Sequence, residues 1–292
     1  MTNIASVINF CSNDYPFLRS CIEGVSDISS QIIVPVCDHY FDGEKEDLKK
    51  LGKIYAEFPQ VQFVQFPYDL NRCLYANHSI SYWHNLARLM GLYFVRADTV
   101  LFLDADEIFE VEKLKTWVAE FPYSDYDAIR LANYWYFRDS RCRATEWEDT
   151  PLLIKREHLT GQLIMQERER AGTFAACAGN KVRMTKGLDG LPMCHHYSWV
   201  RTKEQMLRKV RSWGHHWERN WEALVEEEFS RPFNGRDFVH GYTFNQVEPY
   251  AEIDLQKEPI GKGQGKSLQI LTTDDMNKID LALTFDLPFL KY

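Results

Sequence analysis

Three acidic side chains follow an apolar segment close to position 100. Residues 100–103 read VLFL, and Asp104, Asp106 and Glu107 come directly after them. In an extended strand, residues two apart point to the same side, so Asp104 and Asp106 could bind one cation. Hard carboxylate oxygens suit Mg²⁺ or Mn²⁺. The alternative is an acidic turn that ends the strand, with Asp106 or Glu107 capping the next helix.

The elements that would position this cluster alternate between strand and helix patterns. Short β-branched or aromatic segments predict strands at Ile4–Phe10, Gln31–Cys37, Val61–Phe66 and Thr99–Leu103. Apolar residues at helical spacing predict helices over Glu44–Phe58 and Ser79–Val95. This alternation indicates βαβ units and an α/β fold, with a mostly parallel central sheet flanked by helices. Ligands of such sheets bind beyond the carboxyl ends of the strands, where Asp104 and Asp106 would lie.

The second half of the chain has a different pattern. Strands are predicted over Asp127–Asn133 and Pro151–Arg156, and a polar, aromatic stretch, Tyr134–Thr150, separates them. Residues 161–195 look rich in loops, and a long helix is predicted from Thr202 to about Phe229. The tail from Ser230 onward looks irregular. We therefore expect a main domain in residues 1–200 and a helical, irregular C-terminal extension, residues 201–292, packed on it.

Composition narrows the class of protein. The formal net charge of -8 argues against general nucleic-acid binding, which needs a positive field. The seven cysteines are scattered without a C-x-x-C, so reduced thiols are expected rather than disulfides or a zinc site. The N-terminus does not read as a signal peptide, and no apolar run approaches the ~20 residues that span a bilayer. We expect a cytoplasmic protein without a transmembrane segment, for which peripheral membrane contact and oligomerisation both stay open.

Several short sequence segments, one of which contains the acidic cluster, together match a family pattern. They are FCSND at 10–14, VCD at 36–38, NLAR at 85–88, ADTVLFLDADE at 97–107 and CHHYSWVR at 194–201. Together they resemble the family 2 glycosyltransferases of the GT-A fold, over roughly residues 1–220. The resemblance implies a Rossmann-like catalytic domain that binds a nucleotide sugar, UDP- or GDP-linked. It also implies inverting, Mn²⁺- or Mg²⁺-dependent transfer of the sugar to a glycan or other hydroxyl acceptor.

The sequence departs from that family pattern at three places. Ser198 stands where the last string has a glycine, and His39 and Tyr40 follow Asp38 in place of an acidic-Gly-Ser turn. A late Glu-Asp pair on the acceptor side is not obvious. The resemblance therefore does not assign the catalytic base.

This resemblance implies a chemical role for the acidic cluster. A departing nucleoside diphosphate needs its developing charge neutralised, and a divalent ion does that without proton transfer. The resemblance implies Asp104, Asp106 and His196 as metal ligands, and a neutral imidazole suits Mn²⁺. Asp104 would also face the bound donor. His195 is the alternative ligand, and a structural histidine is the plain reading of either residue.

Further donor-binding residues are implied at the ends of the early elements. Asn13 and Asp38 follow the first two strands and would contact the base or ribose, unless they only cap a helix or close a turn. Arg88 could bind diphosphate oxygens bidentately, and Asn85 lies on the same helix face; an ordinary ion pair is the competing reading. Arg201 begins a segment, residues 200–219, with six basic and two acidic side chains. That segment could meet the donor diphosphate or an anionic acceptor.

An inverting transfer needs a base that takes the proton of the acceptor hydroxyl. The candidates are Glu146, Glu148 and Asp149, with Glu107 behind them. We favour Asp149, then Glu148, although each could be an ordinary loop carboxylate.

Aromatic residues offer an acceptor platform and a helix face. Tyr134, Trp135 and Tyr136 could stack on a sugar ring or continue a strand into the core. Trp213, Trp217 and Trp221 step by four residues and predict the apolar face of the long helix, packed on the domain or on a second subunit.

Two other classes of protein compete with the glycosyltransferase. A nucleotidyltransferase should have a Gly-rich phosphate loop after its first strand, and FCSND at 10–14 has no glycine. A non-catalytic carbohydrate-binding or scaffold protein should have lost the acidic pair, which is intact here. The partners expected are thus a nucleotide-sugar donor and a carbohydrate acceptor.

Overall fold

The computed structural model describes residues 3–69, 80–263 and 267–284, which form two β-sheets with helices around them. The strands are β1 (Ile4–Asn9), β2 (Ser29–Cys37), β3 (Gln62–Phe66), β4 (Thr99–Asp104), β5 (Glu107–Phe109), β6 (Ala128–Leu131), β7 (Asn133–Phe137), β8 (Asp139–Glu148), β9 (Leu152–Lys155), β10 (Lys181–Thr185), β11 (Cys194–Trp199), β12 (Phe244–Gln246) and β13 (Leu268–Ile270). The helices are α1 (Tyr15–Ser26), α2 (Leu48–Glu57), α3 (Ile80–Tyr93), α4 (Val111–Glu120), α5 (Gly161–Ile164), α6 (Glu169–Ala176), α7 (Lys203–Ser212), α8 (Trp221–Phe229) and α9 (Thr273–Thr284).

The first sheet has eight strands in the order β10-β6-β9-β4-β1-β2-β3-β13. Only β9 runs antiparallel to its neighbours, β4 and β6. The six residues of β1 pair one to one with those of β4, which sets Asn9 beside Asp104 at the carboxyl ends. The predicted α/β fold with a mostly parallel central sheet flanked by helices is confirmed.

The second sheet begins where the acidic cluster ends. β4 stops at Asp104 and β5 starts at Glu107, so the chain passes between the two sheets within the DADE segment. The order is β12-β8-β7-β11-β5, and the parallel pair β7 and β11 lies inside it. Because β5 pairs with β11, His196 lies opposite Glu107. The pairing of β5 with β11 thus brings the two distant motifs together.

Helices pack on the first sheet because each buries an apolar face against the apolar side chains of the strands. Leu51, Ile54 and Tyr55 form the buried face of α2, whose first turn is capped by the Asp47 side chain. Helix α3 packs closely on β1 and β2, and a Cβ added at Gly91 would meet Cγ1 of Val7 at 2.6 Å. The glycine therefore sets how near this helix lies to the sheet.

The predicted helix from Thr202 to Phe229 is wrong, because the structure has two helices there. Thr202 and Gln205 form a reciprocal capping box that starts α7, and the helix ends at Ser212. Trp213 then adopts extended dihedrals, and Asn220 caps the start of α8. The intervening turns leave Trp217 74% exposed, so the three tryptophans do not share one helix face.

Three further segments of the second half are more regular than the sequence pattern indicates. The stretch from Tyr134 to Thr150 is mostly the β7–β8 hairpin, and residues 161–195 contain two helices and two strands. The tail contains β12, β13 and α9. Its three-residue strands are too short to give an alternating pattern, so they were missed.

The described cysteines are free thiols at Cys11, Cys21, Cys37, Cys142, Cys177 and Cys194. Cys73 and Ser79, the predicted start of α3, lie outside the described residues. Within the described parts of the chain, no helix has the length and apolar content to cross a membrane.

Candidate functional site

A cavity of about 670 Å³ opens at the carboxyl ends of β1, β2 and β4, and the second sheet forms its opposite wall. Asn9, Asn13 and Asp104 contribute from the first sheet and its loops. Trp135, Glu148 and His196 contribute from the second sheet. The position agrees with ligand binding beyond the strand ends of an α/β sheet.

Asp104 is held between two arginines at the cavity. Its Oδ1 accepts from Nη2 of Arg88 at 3.1 Å, and its Oδ2 accepts from Nη2 of Arg170 at 2.8 Å. Burial opposes ionisation, but Arg170 and Arg88 outweigh it and lower the pKa of Asp104. Glu107, fully buried, accepts from Arg170 at 2.5 and 2.9 Å. These arginine bonds thus fix the directions of both carboxylates and favour an anionic Asp104.

Asp106 faces three cationic side chains. Its Oδ2 lies 2.8 Å from Nη2 of Arg201 and 3.5 Å from Nζ of Lys209, and its Oδ1 lies 3.5 Å from Nε2 of His196. Burial raises the pKa of Asp106, but Lys209, His196 and Arg201 together hold it well below its usual range. Burial likewise disfavours the imidazolium, yet the nearby carboxylates of Asp106 and Glu148 raise the pKa of His196 to about 10.

The donor set around Asp106 has the chemistry of a divalent-cation site, but the ligand atoms of Asp104, Asp106 and His196 do not all lie within 4.8 Å of one another. Two carboxylates and one imidazole are ligands that Mn²⁺ accepts, and the buried Nδ1 of His196 has no hydrogen-bond partner among the described residues. Asp104, Asp106 and His196 would hold the ion. In the structure, Lys209 and the protonated His196 supply positive charge beside Asp106. Among the described residues, Asp127, Glu157 and His158 are the three-residue group whose ligand atoms already lie within 4.8 Å of one another, on an exposed surface.

Of the two residues predicted to contact the base or ribose, Asn13 lies at the cavity wall and Asp38 does not. Asn13 lines the cavity, and its Nδ2 donates to the carbonyl of Gln205 at 3.0 Å. Asp38 instead accepts from the backbone N–H of Tyr68 at 2.7 Å and contacts the His39 ring at 2.6 Å. That arrangement places His39, rather than Asp38, at the cavity wall.

Arg88, Asn85 and Arg201 lie behind the cavity wall. Arg88 is 2% exposed and bridges Asp104 and Glu169, while Asn85 donates to the carbonyl of Gln166 at 2.8 Å. Arg201 is equally buried and joins Asp106 to Asp14, whose Oδ1 lies 2.6 Å from Nη2. These three side chains support the acidic motif from behind.

Glu148 and Asp149 both line the cavity, but their partners differ. Asp149 is bound by Arg183 through two bonds of 2.9 and 3.0 Å and by Arg130 at 3.1 Å. Oε2 of Glu148 lies 3.8 Å from Nδ1 of His196, and no arginine pairs with Glu148 among the described ion pairs. The structure therefore leaves Glu148 as the freer carboxylate.

Two partners of Glu148 come from the C-terminal segment. Nε2 of His240 lies 3.4 Å from Oε1 of Glu148, and burial together with the nearby Glu148 carboxylate raises the pKa of Tyr242 to about 12. The Trp135 ring contacts both aromatic rings, with centroids 5.2 Å from His240 and 5.6 Å from Tyr242. Trp135 therefore lies beneath the Glu148 cluster, on the side predicted to bind the acceptor.

Sequence reasoning missed Arg170, His240 and Tyr242. Arg170 lies in a stretch that was predicted to be loop, and no string of the family pattern includes it. His240 and Tyr242 lie in the tail, for which the sequence predicts irregular structure. His195, the alternative metal ligand, contacts Tyr136 at 2.7 Å and Glu110 at 3.1 Å, so β11 directs it away from Asp106.

The solved structures that are similar to this chain include the two that follow. One is the glycosyltransferase GlyE of Streptococcus pneumoniae TIGR4, with 14% identity, a TM-score of 0.39 and coverage of 77% of this chain and 63% of GlyE. The other is glucosyl-3-phosphoglycerate synthase from Mycobacterium tuberculosis in complex with Mn²⁺, UDP and glucosyl-3-phosphoglycerate. That match has 14% identity, a TM-score of 0.39 and coverage of 88% and 90%. This chain thus spans less than two thirds of the length of GlyE. No protein-family model and no curated protein sequence matches it.

Proposed function

We propose that this protein is a glycosyltransferase that moves a sugar from a nucleotide-diphosphate sugar to a hydroxyl of a glycan or other acceptor. One observation carries the proposal. An anionic motif held by cations, Asp104 and Asp106, lies across one cavity from a carboxylate, Glu148, that none of the described arginines neutralises. Such a transfer requires charge stabilisation and proton removal, and the groups proposed for these two tasks lie on different walls of the cavity.

The donor would bind on the side of the first sheet. Asn13 and His39 line that part of the cavity, with the aromatic rings of Tyr40 and Phe41 beside them. These groups suit a nucleoside, whose base stacks on rings and whose ribose accepts and donates hydrogen bonds. A UDP- or GDP-sugar is the donor that the family resemblance implies.

The diphosphate would lie near Asp106. A divalent ion, Mn²⁺ or Mg²⁺, held by Asp104, Asp106 and His196, would neutralise charge on the leaving group. Lys209 lines the cavity at 3.5 Å from Asp106 and would contact phosphate oxygens once the carboxylate turns to the ion. Arg201 keeps Asp106 in place, which lowers the cost of reorganisation during the reaction.

Glu148 would act as the base in a single inverting displacement. Its carboxylate takes the proton of the acceptor hydroxyl as the acceptor oxygen forms a bond to the anomeric carbon. The bond from that carbon to the diphosphate oxygen breaks, and the nucleoside diphosphate leaves with the electron pair. Glu148 is preferred over Asp149 because Arg183 and Arg130 occupy both carboxylate oxygens of Asp149.

We also propose residues 1–200 as the catalytic domain and residues 201–292 as an extension packed on it. The extension adds β12 to one edge of the second sheet and β13 to one edge of the first. These pairings support a single folded unit in which the extension also supplies cavity residues.

The first experiment is a thermal-shift panel with UDP-, GDP-, CDP- and dTDP-sugars, each with and without Mn²⁺. A ligand that binds only the folded state raises the melting temperature. We expect one nucleotide class to stabilise the protein, more strongly with Mn²⁺, and Asp106→Asn to remove the metal-dependent part. Asp254→Asn, an exposed carboxylate in the same chain, is the matched control.

Product analysis separates the competing classes. Transfer must release a nucleoside diphosphate, whereas nucleotidyl transfer would release pyrophosphate. Stabilisation by no nucleotide, from a protein that melts cooperatively, would overturn the proposal and favour a non-catalytic carbohydrate-binding protein. Binding of Mn²⁺ can be followed independently by its electron paramagnetic resonance signal, which weakens when the ion is bound.

A further inference from the structure

A buried carboxylate in the C-terminal segment organises a tight loop. Asp237 is 4% exposed, and its carboxylate accepts hydrogen bonds from four successive backbone N–H groups. The donors are Val239 at 2.7 Å, His240 at 2.6 Å and Gly241 at 3.2 Å to Oδ1, and Tyr242 at 2.7 Å to Oδ2. Gly241 has a φ of 75°, which a residue with a side chain rarely adopts. Four bonds to one carboxylate leave this loop few other conformations.

The loop is attached to the strand that carries Glu148. β12 pairs antiparallel with β8, with Phe244 opposite Ala144. The pairing continues outward, because the N–H of Thr145 donates to the carbonyl of Thr243 at 2.9 Å. The loop with His240 and Tyr242 directly precedes this pairing, and the centroids of these two rings lie 5.0 Å apart.

The loop therefore presents two side chains to Glu148. His240 approaches Oε1 of Glu148 at 3.4 Å, and the Tyr242 ring lies beside His240 at the same cavity, with ring centroids 5.0 Å apart. Oε2 faces His196 at 3.8 Å from the other direction. The orientation of Glu148 thus depends on β11 on one side and on the loop on the other.

We propose that Asp237 is a positioning residue for the base, acting through His240 and Tyr242 on Glu148. The inference rests on the proposed function, since it assigns Glu148 the proton transfer. Asp237 does not touch the reacting groups. Its carboxylate fixes the loop, the loop fixes the direction of the Glu148 carboxylate, and that direction determines whether an acceptor hydroxyl meets an oxygen lone pair.

The test is a double-mutant cycle between Asp237→Asn and Glu148→Gln. Asparagine keeps the size of the side chain but offers an NH₂ group in place of one acceptor oxygen, so one of the four loop bonds is lost. We expect Asp237→Asn to lower kcat by about 10- to 100-fold with the donor KM unchanged. In the Glu148→Gln background, the same change should have no further effect on the residual kcat.

Tyr242→Phe is the second variant, because Asp237→Asn could also weaken folding. It removes only the hydroxyl of the ring that lies beside His240, and its effect on kcat should likewise vanish in the Glu148→Gln background. Asp254→Asn is the control, since Asp254 also accepts a backbone N–H, from Gln256 at 3.0 Å, on an exposed turn away from the cavity. Its kcat should equal that of the wild type.

Each outcome decides the inference. An equal loss of kcat from Asp237→Asn and Tyr242→Phe in both backgrounds would overturn it, because the loop would then act independently of Glu148. An unchanged kcat in both single variants would overturn it as well. A wild-type protein that transfers no sugar from any donor would instead overturn the proposed function, and that result is recognised before any variant is made.

Discussion

At the scale of single residues, the surroundings of two adjacent carboxylates separate their roles. Asp149 is 4% exposed and carries two arginines, whereas Glu148 faces imidazoles and a phenol. The sequence suggested both as bases and favoured Asp149, because nothing in the Glu-Asp order reveals which side chain meets an arginine. Arg130 and Arg183 come from strands before and after the pair, so their contact with Asp149 depends on the fold.

Glu148→Gln should lower kcat by about 10²- to 10⁴-fold and leave folding nearly unchanged. Glutamine is similar in size but cannot take a proton, and no arginine loses its partner. Steady-state kinetics with the identified donor and a urea unfolding curve measure the two effects. Asp149→Asn provides the contrast. It should reduce the free energy of unfolding by on the order of 3 kcal/mol, mostly through the buried Arg130, because Arg183 is largely exposed. A stable Asp149→Asn protein with the larger loss of kcat would assign the base to Asp149.

Asp127 gives a prediction on pH. Its carboxylate accepts from the backbone N–H of Asn180, and also from Lys155 and His158; these bonds lower its pKa below the usual value of about 4. A lowered folded-state pKa stabilises the fold above the unfolded-state pKa, and this stabilisation is lost as the pH falls. Asp127→Asn should therefore lower the urea midpoint at pH 7 and lower it less at pH 3. Asp125→Asn, an exposed neighbour, is the control; an Asp127 effect that is equal at both pH values would contradict this account.

At the scale of elements, local sequence predicted some helix boundaries and missed others. α2 begins at Leu48, well after the predicted Glu44, whereas it ends at Glu57, next to the predicted Phe58. The capping box at Thr202 is a short-range feature, and it marks the real start of α7. The end of α7 depends on tertiary packing. Trp213 and Trp221 both contact Trp199, and the Trp221 indole donates to the carbonyl of His215 at 2.7 Å. A regular tryptophan spacing across 213–221 therefore concealed a break that long-range packing stabilises.

Two glycines in helices should respond oppositely to alanine. Gly91→Ala should destabilise the protein by about 1–3 kcal/mol, because a Cβ in α3 would overlap Val7 of β1. Gly52→Ala in α2 should stabilise it by up to about 1 kcal/mol, because no atom lies within 4 Å of the added methyl and alanine favours a helix. Urea unfolding of both variants measures the difference. Equal stabilisation by the two substitutions would show that α3 does not pack so closely on the sheet.

At the scale of the whole molecule, the order of elements was predictable and the long-range pairings were not. The four early strands and the acidic motif follow from apolar patterns that each occupy a few residues. The pairing of β13 with β3 joins residues about 200 positions apart, and β12 reaches β8 across about 100. Three-residue strands carry no periodicity, and their partners are selected by the complete fold. His240 and Tyr242 could not be assigned to the site for this reason.

Removal of residues 267–292 should destabilise the protein without abolishing donor binding. The deletion exposes the edge of β3 and takes away the buried side chains Leu271, Met276 and Ile279. At roughly 1.5–3 kcal/mol for each, the free energy of unfolding should fall by about 5 kcal/mol. An open strand edge should also promote aggregation. Urea unfolding and light scattering measure both effects, and nucleotide-dependent thermal shift in the folded fraction should persist. Substitution of the exposed Ile260 by serine is the control and should change neither.

The passage of the chain from one sheet to the other at residues 104–107 has a consequence for how such a protein could change. The groups proposed to hold the nucleoside precede this crossing, and those proposed to meet the acceptor follow it, as do His196 and Lys209 near the diphosphate. The loop from Asp237 to Tyr242 lies at the outer edge of the later sheet, where it leads into β12 and packs on Trp199 and Trp221 through Phe238. Substitutions in that hairpin would alter which hydroxyl is selected and spare the donor half. New acceptor preferences could thus arise, in evolution or in a directed library, from a segment of fewer than ten residues.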